Sequence, residues 1–401
     1  MTASQCLLIS NARVPQNALA SASATAEVAI PEYATVDITV TNGRIEQIVT
    51  AGQAPMSLQR DTTVLDADGS LVLPGFIDVH VHGGAGHDTM DATPAALAEM
   101  ARFFAQHGVT AFLPTTITAP HGEICRALAN VAACRAEPAT GARLLGVHVE
   151  GPYISPHFPG AQPVRSIRPP NVQEFTELVA AGPVRMITVA PEEEGADALV
   201  ALARQRDVVA VWGHTNATYE QCVAAAEKGF TQATHTYNAM SGLHHRKPGV
   251  LGATLTIDSI YAQLIADNIH VHPAAMQVLA RCKGIDRTIL ITDAMRATGL
   301  PDGDYDLGGQ TVTVADGACR LADGTLAGSI LTMDRALRNF MAATGLSLVD
   351  TWPATSRTPA QSLGIGHEVG MIAVGYRGDL AVLDEELRVV QTVIGGEIHK
   401  R

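Results

Sequence analysis

Eight short apolar segments follow one another through the middle of this 401-residue chain, and most are separated by a segment with helical periodicity. After the first of them, Thr93-Pro94 is typical of a helix start, and Leu97, Met100 and Phe104 recur at helical spacing. Eight alternating strand and helix units predict an α/β fold, a closed (β/α)8 TIM barrel of parallel strands. The predicted strands are 76–82, 109–116, 144–150, 184–190, 208–214, 230–235, 260–267 and 287–293.

Histidines and carboxylates stand at the ends of five of these predicted strands. They are His80, His82, Glu150, His214, His235 and Asp293. Because the carboxyl ends of parallel barrel strands open onto one rim, we expect these distant residues to converge. A lone histidine at a strand end is usually only hydrogen-bonded, but His80 and His82 stand two residues apart and so face the same side of their strand. Imidazoles combined with carboxylates are typical ligands of zinc or iron, so the set predicts a metal site.

The charge balance limits the partners of the chain. With 27 basic and 40 acidic residues, the formal net charge is -13, and no run of Lys and Arg exists. Nucleic acid is therefore not an expected partner, and an anionic ligand would need local positive contacts. Neither a signal peptide nor a long apolar span is evident, so we expect a cytoplasmic protein without membrane association. The six cysteines form no CxxC pair and are expected to be free thiols.

Both ends of the chain have a different pattern, with short strands and hairpin turns. Predicted strands lie at 6–10, 36–40, 44–49, 380–383 and 389–394, with a hairpin turn at 42–43 and a polar loop at 51–62. We predict one small β-sandwich domain built from both termini. The whole chain is 47% hydrophobic, which is sufficient for a large core. The expected division is 1–73 and 371–401 for the β-domain and 74–370 for the barrel, with a hairpin insertion near 303–325.

Six motifs in order resemble a known family. Segment 75–84, GFIDVHVHGG, resembles the opening signature of the amidohydrolase superfamily. Together with it, five further segments resemble the N-acetylglucosamine-6-phosphate deacetylase family. They are 148–156, 213–216, 234–240, 265–270 and 292–294. The resemblance covers nearly the whole chain, and six motifs in register are far more specific than any one of them.

The resemblance implies a metal-dependent amide hydrolase. Glu150, His214 and His235 match the principal metal ligands, and His80 with His82 match the pair found in members with a second metal, with Glu150 bridging. One or two divalent ions per subunit are implied, with zinc favoured and iron, cobalt or manganese as alternatives. The family also suggests a homodimer.

The resemblance further implies a phosphorylated amino sugar as substrate and Asp293 as the catalytic base. Substrate contacts are implied for Ala161, Gln162, Asn238, Ala239, Arg246, His270, Leu326, Ala327 and Gly328. Arg246, in the loop 244–249, is the expected phosphate contact. Gln162 is a departure, because some single-metal members have there a histidine that polarises the substrate carbonyl. Glutamine cannot be cationic, so a second metal would take over part of that work.

Other functions remain open from the sequence. The nearest alternative is the same reaction on another sugar phosphate, such as N-acetylgalactosamine 6-phosphate. Amidohydrolases that act on acylated amino acids or cyclic amides would not need the arrangement of Asn238, Ala239 and Arg246. A non-catalytic scaffold on this fold is a remote alternative, since such relatives typically lose metal ligands and this chain keeps them.

Overall fold

The computed structural model of the chain describes residues 6–19, 32–54, 62–137 and 141–400. Its largest feature is a barrel of eight parallel strands, each at a position predicted from the sequence. In order, barrel strands 1 to 8 are Phe76–Val81, Val109–Thr116, Val147–Glu150, Val184–Val189, Val209–Trp212, Phe230–Ala233, Tyr261–Ile265 and Thr288–Ile291. Buried on both faces, these strands need nearly continuous apolar sequences, which is why the segments stand out in the chain.

Parallel pairing runs through the barrel in sequence order, from strand 1 with strand 2 to strand 7 with strand 8. The barrel closes where strand 8 meets strand 1. There the Asp293 N–H donates to the His80 carbonyl at 2.9 Å, and the His82 N–H donates to the Ala294 carbonyl at 2.9 Å. The closure therefore joins the backbone of the predicted base to that of the predicted metal ligands.

Each barrel strand is followed by a helix on the outside. The eight helices are Pro94–Ala105, His121–Arg135, Val172–Ala181, Ala196–Gln205, Tyr219–Lys228, Gly249–Thr256, Pro273–Lys283 and Met333–Thr344, and two short helices follow at Leu348–Thr351 and Arg357–Ser362. In the first, the Thr93 side chain accepts a hydrogen bond from the Ala96 N–H, and Leu97, Met100 and Phe104 are buried. The sequence prediction for this helix is confirmed. None of the described helices is long and apolar enough to cross a lipid bilayer.

Both chain ends contribute to one eight-stranded sheet beside the barrel. Its strands are Cys6–Pro15, Tyr33–Thr41, Arg44–Thr50, Thr63–Asp66, Leu71–Pro74, Leu380–Leu383, Val389–Ile394 and Glu397–Lys400. Leu71–Pro74 pairs antiparallel with Leu380–Leu383, which joins the two ends. The hairpin turn at 42–43 is confirmed by the pairing of Thr41 with Arg44, whereas most of the predicted loop 51–62 lies outside the described residues. The fold class, a TIM barrel with a small β-sandwich domain from both termini, is confirmed.

A three-stranded antiparallel sheet follows barrel strand 8, as predicted for the insertion near 303–325. Its strands are Gly303–Leu307, Gln310–Ala315 and Ala318–Arg320. Leu307, Val312 and Cys319 are buried in a small apolar cluster of their own. The smaller elements are the strands Gly83–Gly84, His87–Asp88 and Arg143–Leu144 and the 3-10 helices Gln16–Ala18, Thr89–Asp91, Val164–Ser166, Ile285–Arg287 and Trp352–Thr355.

Candidate metal centre and active site

The six predicted site residues meet at the carboxyl ends of the barrel strands. His80 lies within strand 1 and Glu150 ends strand 3, but strands 5, 6 and 8 end two residues before His214, His235 and Asp293. These three residues leave the extended conformation, with φ of 48°, 25° and 50°. Non-glycine residues rarely adopt positive φ, which costs about 1–3 kcal/mol and recurs at functional sites. The sequence predicted the position of each residue, and the structure shows that these three stand on turns beyond the strands.

The Glu150 carboxylate is the centre of the cluster. Its Oε1 lies 3.1 Å from His235 Nε2, 3.3 Å from His214 Nε2 and 3.4 Å from His80 Nε2. Its Oε2 lies 3.2 Å from His82 Nε2. Asp293 Oδ1 lies 3.4 Å from the Nε2 atoms of both His80 and His82. All of these residues are buried, so the cluster concentrates four imidazoles and two carboxylates in one place with little exposure.

The donor atoms form two overlapping groups that fit metal ions. His80, His82 and Glu150 form one group, Glu150, His214 and His235 form the other, and the ligand atoms of each lie within 4.8 Å of one another. The buried His80 Nε2 has no hydrogen-bond partner among the described residues, although two carboxylate oxygens lie nearby. His235 Nε2 also faces His214 Nε2 at 3.0 Å. Ring nitrogens that converge on one point suit a cation, and the shared Glu150 suits a bridging ligand.

Several groups behind the ligands fix the imidazole rings. His214 Nδ1 lies 3.1 Å from the Phe158 carbonyl, and His80 Nδ1 lies 3.4 Å from Gln263 Oε1. The Gln263 amide nitrogen in turn donates to Gln232 Oε1 at 3.0 Å. Such outer partners select the ring nitrogen that faces a metal. Sequence reasoning missed all three partners, although a buried amide inside an apolar strand, as in Tyr261–Ile265, is a signal that could have indicated Gln263.

Mutual electrostatics keep the carboxylates ionised. Burial alone would raise the pKa of Asp293, but the imidazoles of His80 and His82 lower it to about 2. Burial likewise opposes ionisation of Glu150, but the surrounding histidines hold its pKa well below the usual range. For His82, the carboxylates of Asp293 and Glu150 outweigh burial and raise the pKa of the ring. Asp293 is therefore ionised at neutral pH, as a general base requires.

Gln162 has both ends of its amide engaged. Its nitrogen donates to Glu150 Oε2 at 2.6 Å, and its oxygen accepts from the Thr118 N–H at 2.7 Å. Gly151, which follows Glu150 in the chain, packs closely against Thr118 and supports this arrangement. It has φ of 74°, and a Cβ there would lie 2.0 Å from Thr118 Oγ1. In this geometry, one N–H of the Gln162 amide holds the shared carboxylate, and the side chain also lines the cavity described next.

A cavity of about 390 Å³ opens above the cluster. Seven of the nine predicted substrate contacts line it, together with His82, Glu150, His214, His235 and Asp293. The seven are Ala161, Gln162, Asn238, Ala239, His270, Leu326 and Gly328. Its size suits a small molecule that is largely enclosed.

Two predicted substrate contacts do not line the cavity. Ala327 is buried, and its N–H donates to the Cys319 carbonyl at 3.0 Å. Arg246 is exposed, and its guanidinium contacts the neighbouring His245 ring at 2.7 Å. The residues that line the cavity but were missed from the sequence are Ile117, Gly160, Leu307, Arg320, Gly324 and Thr325. Four of these six belong to the insertion or the segment directly after it.

Comparison with known proteins places the chain in a family. The family model described as the amidohydrolase family matches residues 71–399. N-acetylglucosamine-6-phosphate deacetylase of Bacillus subtilis (strain 168) is 43% identical over 334 residues, which cover 82% of this chain and 84% of the relative. N-acetylgalactosamine-6-phosphate deacetylase of Escherichia coli O157:H7 is 41% identical over 338 residues, which cover 84% and 89%.

A solved structure agrees over the full length. The crystal structure of N-acetylglucosamine-6-phosphate deacetylase from Pasteurella multocida matches with a TM-score of 0.90 at 28% identity, covering 99% of this chain and 100% of that one. Family, sequence relatives and architecture therefore agree with the cluster of histidines and carboxylates at the barrel rim. The chain belongs to the amidohydrolase family and, within it, to the N-acetylglucosamine-6-phosphate deacetylases.

Proposed function

We propose that this enzyme hydrolyses the acetamide of N-acetyl-D-glucosamine 6-phosphate, giving D-glucosamine 6-phosphate and acetate, in amino-sugar catabolism and recycling. The observation that carries the proposal is the Glu150 carboxylate shared by four imidazoles, with ionised Asp293 beside it at the floor of a 390 Å³ cavity. This arrangement can activate water next to a bound amide. A non-catalytic scaffold has no need for it.

The reaction requires a strong nucleophile and a polarised carbonyl. A divalent ion held by these residues would supply both, since it lowers the pKa of water from 15.7 towards ~7 and withdraws electrons from the carbonyl. Zinc is proposed first, with iron, cobalt and manganese as alternatives. His214, His235 and Glu150 would hold one ion, and His80 and His82 with the same Glu150 would hold a second.

The protein's own groups move the proton and orient the sugar. Asp293 would accept a proton from the attacking water and return it to the nitrogen of the leaving amine. Asn238, Ala239 and His270 line the cavity and would bind the sugar phosphate. His270 is fixed by a contact of 2.6 Å between its Nδ1 and Asp267 Oδ2, which leaves Nε2 for a ligand.

The remaining substrate contacts are proposed with different roles. Ala161, Leu326 and Gly328 would contact the substrate directly, and Ala327 would hold their segment in place through its backbone. Arg246 is proposed as a phosphate contact, but it does not line the cavity of its own chain. It would reach a phosphate only if its loop moved or if a second chain presented it, so we propose a homodimer.

Acetate release from a panel of N-acetyl sugars tests the substrate. We expect the fastest hydrolysis with N-acetylglucosamine 6-phosphate and slow hydrolysis of the unphosphorylated sugar. N-acetylgalactosamine 6-phosphate is the second candidate, since the Escherichia coli relative is described as acting on it. A higher kcat/KM for that epimer would reassign the substrate, and equal rates with and without phosphate would refute the phosphorylated class. Elemental analysis of the same sample would identify the metal.

The organisation of the chain is also a proposal. We assign 1–73 and 371–401 to the small β-domain and 74–370 to the catalytic barrel, including the insertion near 303–325. The strand Leu71–Pro74 then crosses the boundary, since it pairs with Leu380–Leu383 and precedes barrel strand 1 by one residue. The six free cysteines support a reducing, cytoplasmic setting.

A further inference from the structure

Only one lysine or arginine is present among the described residues that line the active-site cavity, and it is Arg320. The whole chain has a formal charge of -13, so a dianionic ligand is repelled at long range and needs a local cation to bind. Arg246 lies outside this cavity. Within one chain, Arg320 is therefore the residue placed to meet a negatively charged group of a bound molecule.

The insertion holds Arg320 beside a substrate-contact segment. Arg320 ends the strand Ala318–Arg320 and pairs antiparallel with Leu326 across a tight turn. Two backbone hydrogen bonds of 2.9 Å close that turn, from Leu321 to Thr325 and from Gly324 to Leu321. Because the register is fixed, Arg320 stands directly opposite Leu326, which lines the cavity as well.

The same hairpin is attached to the catalytic strand. The Ala327 N–H donates to the Cys319 carbonyl at 3.0 Å, and the Ser329 N–H donates to the Asp293 carbonyl at 2.8 Å. Cys319 is buried in the apolar cluster of the insertion, and side chains alternate along a strand, so Arg320 faces the opposite side. The position of Arg320 relative to Asp293 is therefore set by a continuous hydrogen-bonded backbone.

The guanidinium of Arg320 remains available for an anion. One of its N–H groups donates to the Gly324 carbonyl at 2.8 Å. It forms no ion pair with any carboxylate in the described ranges, unlike Arg296 and Arg338, which pair with Asp91 and Asp334. A planar guanidinium with free donors can bind a phosphate through two parallel hydrogen bonds.

We propose that Arg320 binds the 6-phosphate of the substrate from within the same subunit and so helps to determine specificity for phosphorylated sugars. His270 lines the same cavity and would supply a second donor. This role rests on the proposed function, because it takes the sugar phosphate as the ligand. It assigns to the insertion a part in recognition that is separate from the metal centre.

The test compares Arg320→Ala and Arg320→Lys with Arg281→Ala, which removes the same charge from an exposed position on the helix Pro273–Lys283. A charge-assisted hydrogen bond corresponds to roughly 10- to 150-fold in an equilibrium constant. We expect Arg320→Ala to lower kcat/KM for N-acetylglucosamine 6-phosphate by about tenfold or more, mainly through KM. Hydrolysis of unphosphorylated N-acetylglucosamine should be unchanged, Arg320→Lys should retain part of the effect, and Arg281→Ala should behave as wild type.

A binding measurement keeps the test independent of turnover. Calorimetric titration with D-glucosamine 6-phosphate should show a similar loss of affinity in Arg320→Ala, and thermal unfolding should show that the variant is folded. Equal losses on both sugars, or unchanged affinity for the phosphorylated ligand, would overturn the role of Arg320. If the wild-type enzyme releases no acetate from the phosphorylated sugar, the proposed function fails instead, and the titration alone still decides whether Arg320 binds the phosphate.

Discussion

Gln162 offers the sharpest test of how the shared carboxylate is held. The Gln162→Leu substitution keeps most of the side-chain volume but removes the hydrogen bond of 2.6 Å to Glu150 Oε2. It also leaves the Thr118 N–H without the acceptor that it has at 2.7 Å. If Gln162 positions Glu150, the first loss should weaken metal binding and the second should lower stability.

The expected size follows from the charge on Glu150. A hydrogen bond to a buried ionised group contributes about 1.5–3 kcal/mol, or roughly 10- to 150-fold in an equilibrium constant. Loss of an outer partner of a metal ligand typically costs about 10- to 100-fold in metal affinity or activity. We therefore expect metal affinity to fall by about 10- to 100-fold, with stability lowered by about 1–3 kcal/mol for the unsatisfied Thr118 N–H.

Metal affinity is measured by competition with a chelator, and stability by urea unfolding of the metal-free protein. Gln310→Leu is the matched control, because the Gln310 amide donates to the Ala161 carbonyl at 2.7 Å, one residue before Gln162, without contacting Glu150. The control should retain the wild-type metal affinity. Unchanged affinity in Gln162→Leu, together with a fall in kcat of about 100-fold at saturating metal, would refute the positioning role and favour polarisation of the substrate carbonyl.

The base, the exposed loop arginine and one buried ion-pair network give three further tests. Asp293→Asn should lower kcat by roughly 10²–10⁴ with metal content unchanged, and near-normal turnover would assign Asp293 to structure. Arg246→Ala should lower kcat/KM by roughly 10- to 150-fold for the phosphorylated sugar only, and equal losses with and without phosphate would contradict a phosphate contact. Burial opposes ionisation of Asp334, but its contacts with His107 and Arg338 at 3.2 Å hold its pKa below the usual range. Asp334→Ala should therefore cost about 3 kcal/mol in urea unfolding at neutral pH. The pKa of Asp334 is lower in the folded than in the unfolded protein, so this stabilisation is present above about pH 4 and is lost as the pH falls through the folded-state pKa. A stability difference between Asp334→Ala and wild type that stays constant into acid would contradict the pairing.

The barrel was predictable because its strands are buried on both faces. All eight apolar segments form strands, since a parallel barrel covered by helices selects continuous apolar sequence. The ends of strands 5, 6 and 8 were predicted two residues too long. His214, His235 and Asp293 adopt positive φ there, which depends on the surrounding tertiary contacts and has no pattern in the local sequence.

The site was predictable where a residue type implies a chemistry and not where geometry decides the role. Histidines and carboxylates at strand ends indicated a metal centre, and the structure brings five of them together as possible ligands, with Asp293 beside His80 and His82. Arg320 was missed because the insertion could be located from its turns, but its register against Leu326 could not. Gln162 was predicted as a substrate contact and lines the cavity, but its hydrogen bonds to Glu150 and Thr118 are visible only in three dimensions.

Charges of opposite sign are separated within the cavity, and this separation bears on how a substrate would lie. Glu150 and Asp293 are ionised on the floor, while Arg320 lines the wall formed by the insertion. Two unit charges 4 Å apart interact with about 4 kcal/mol at an effective dielectric constant of 20. A phosphate near Arg320 would be attracted by the guanidinium. A neutral acetamide needs no cation of this kind, so Arg320 favours the orientation that hydrolysis requires, with the phosphate at the insertion and the amide beside Asp293.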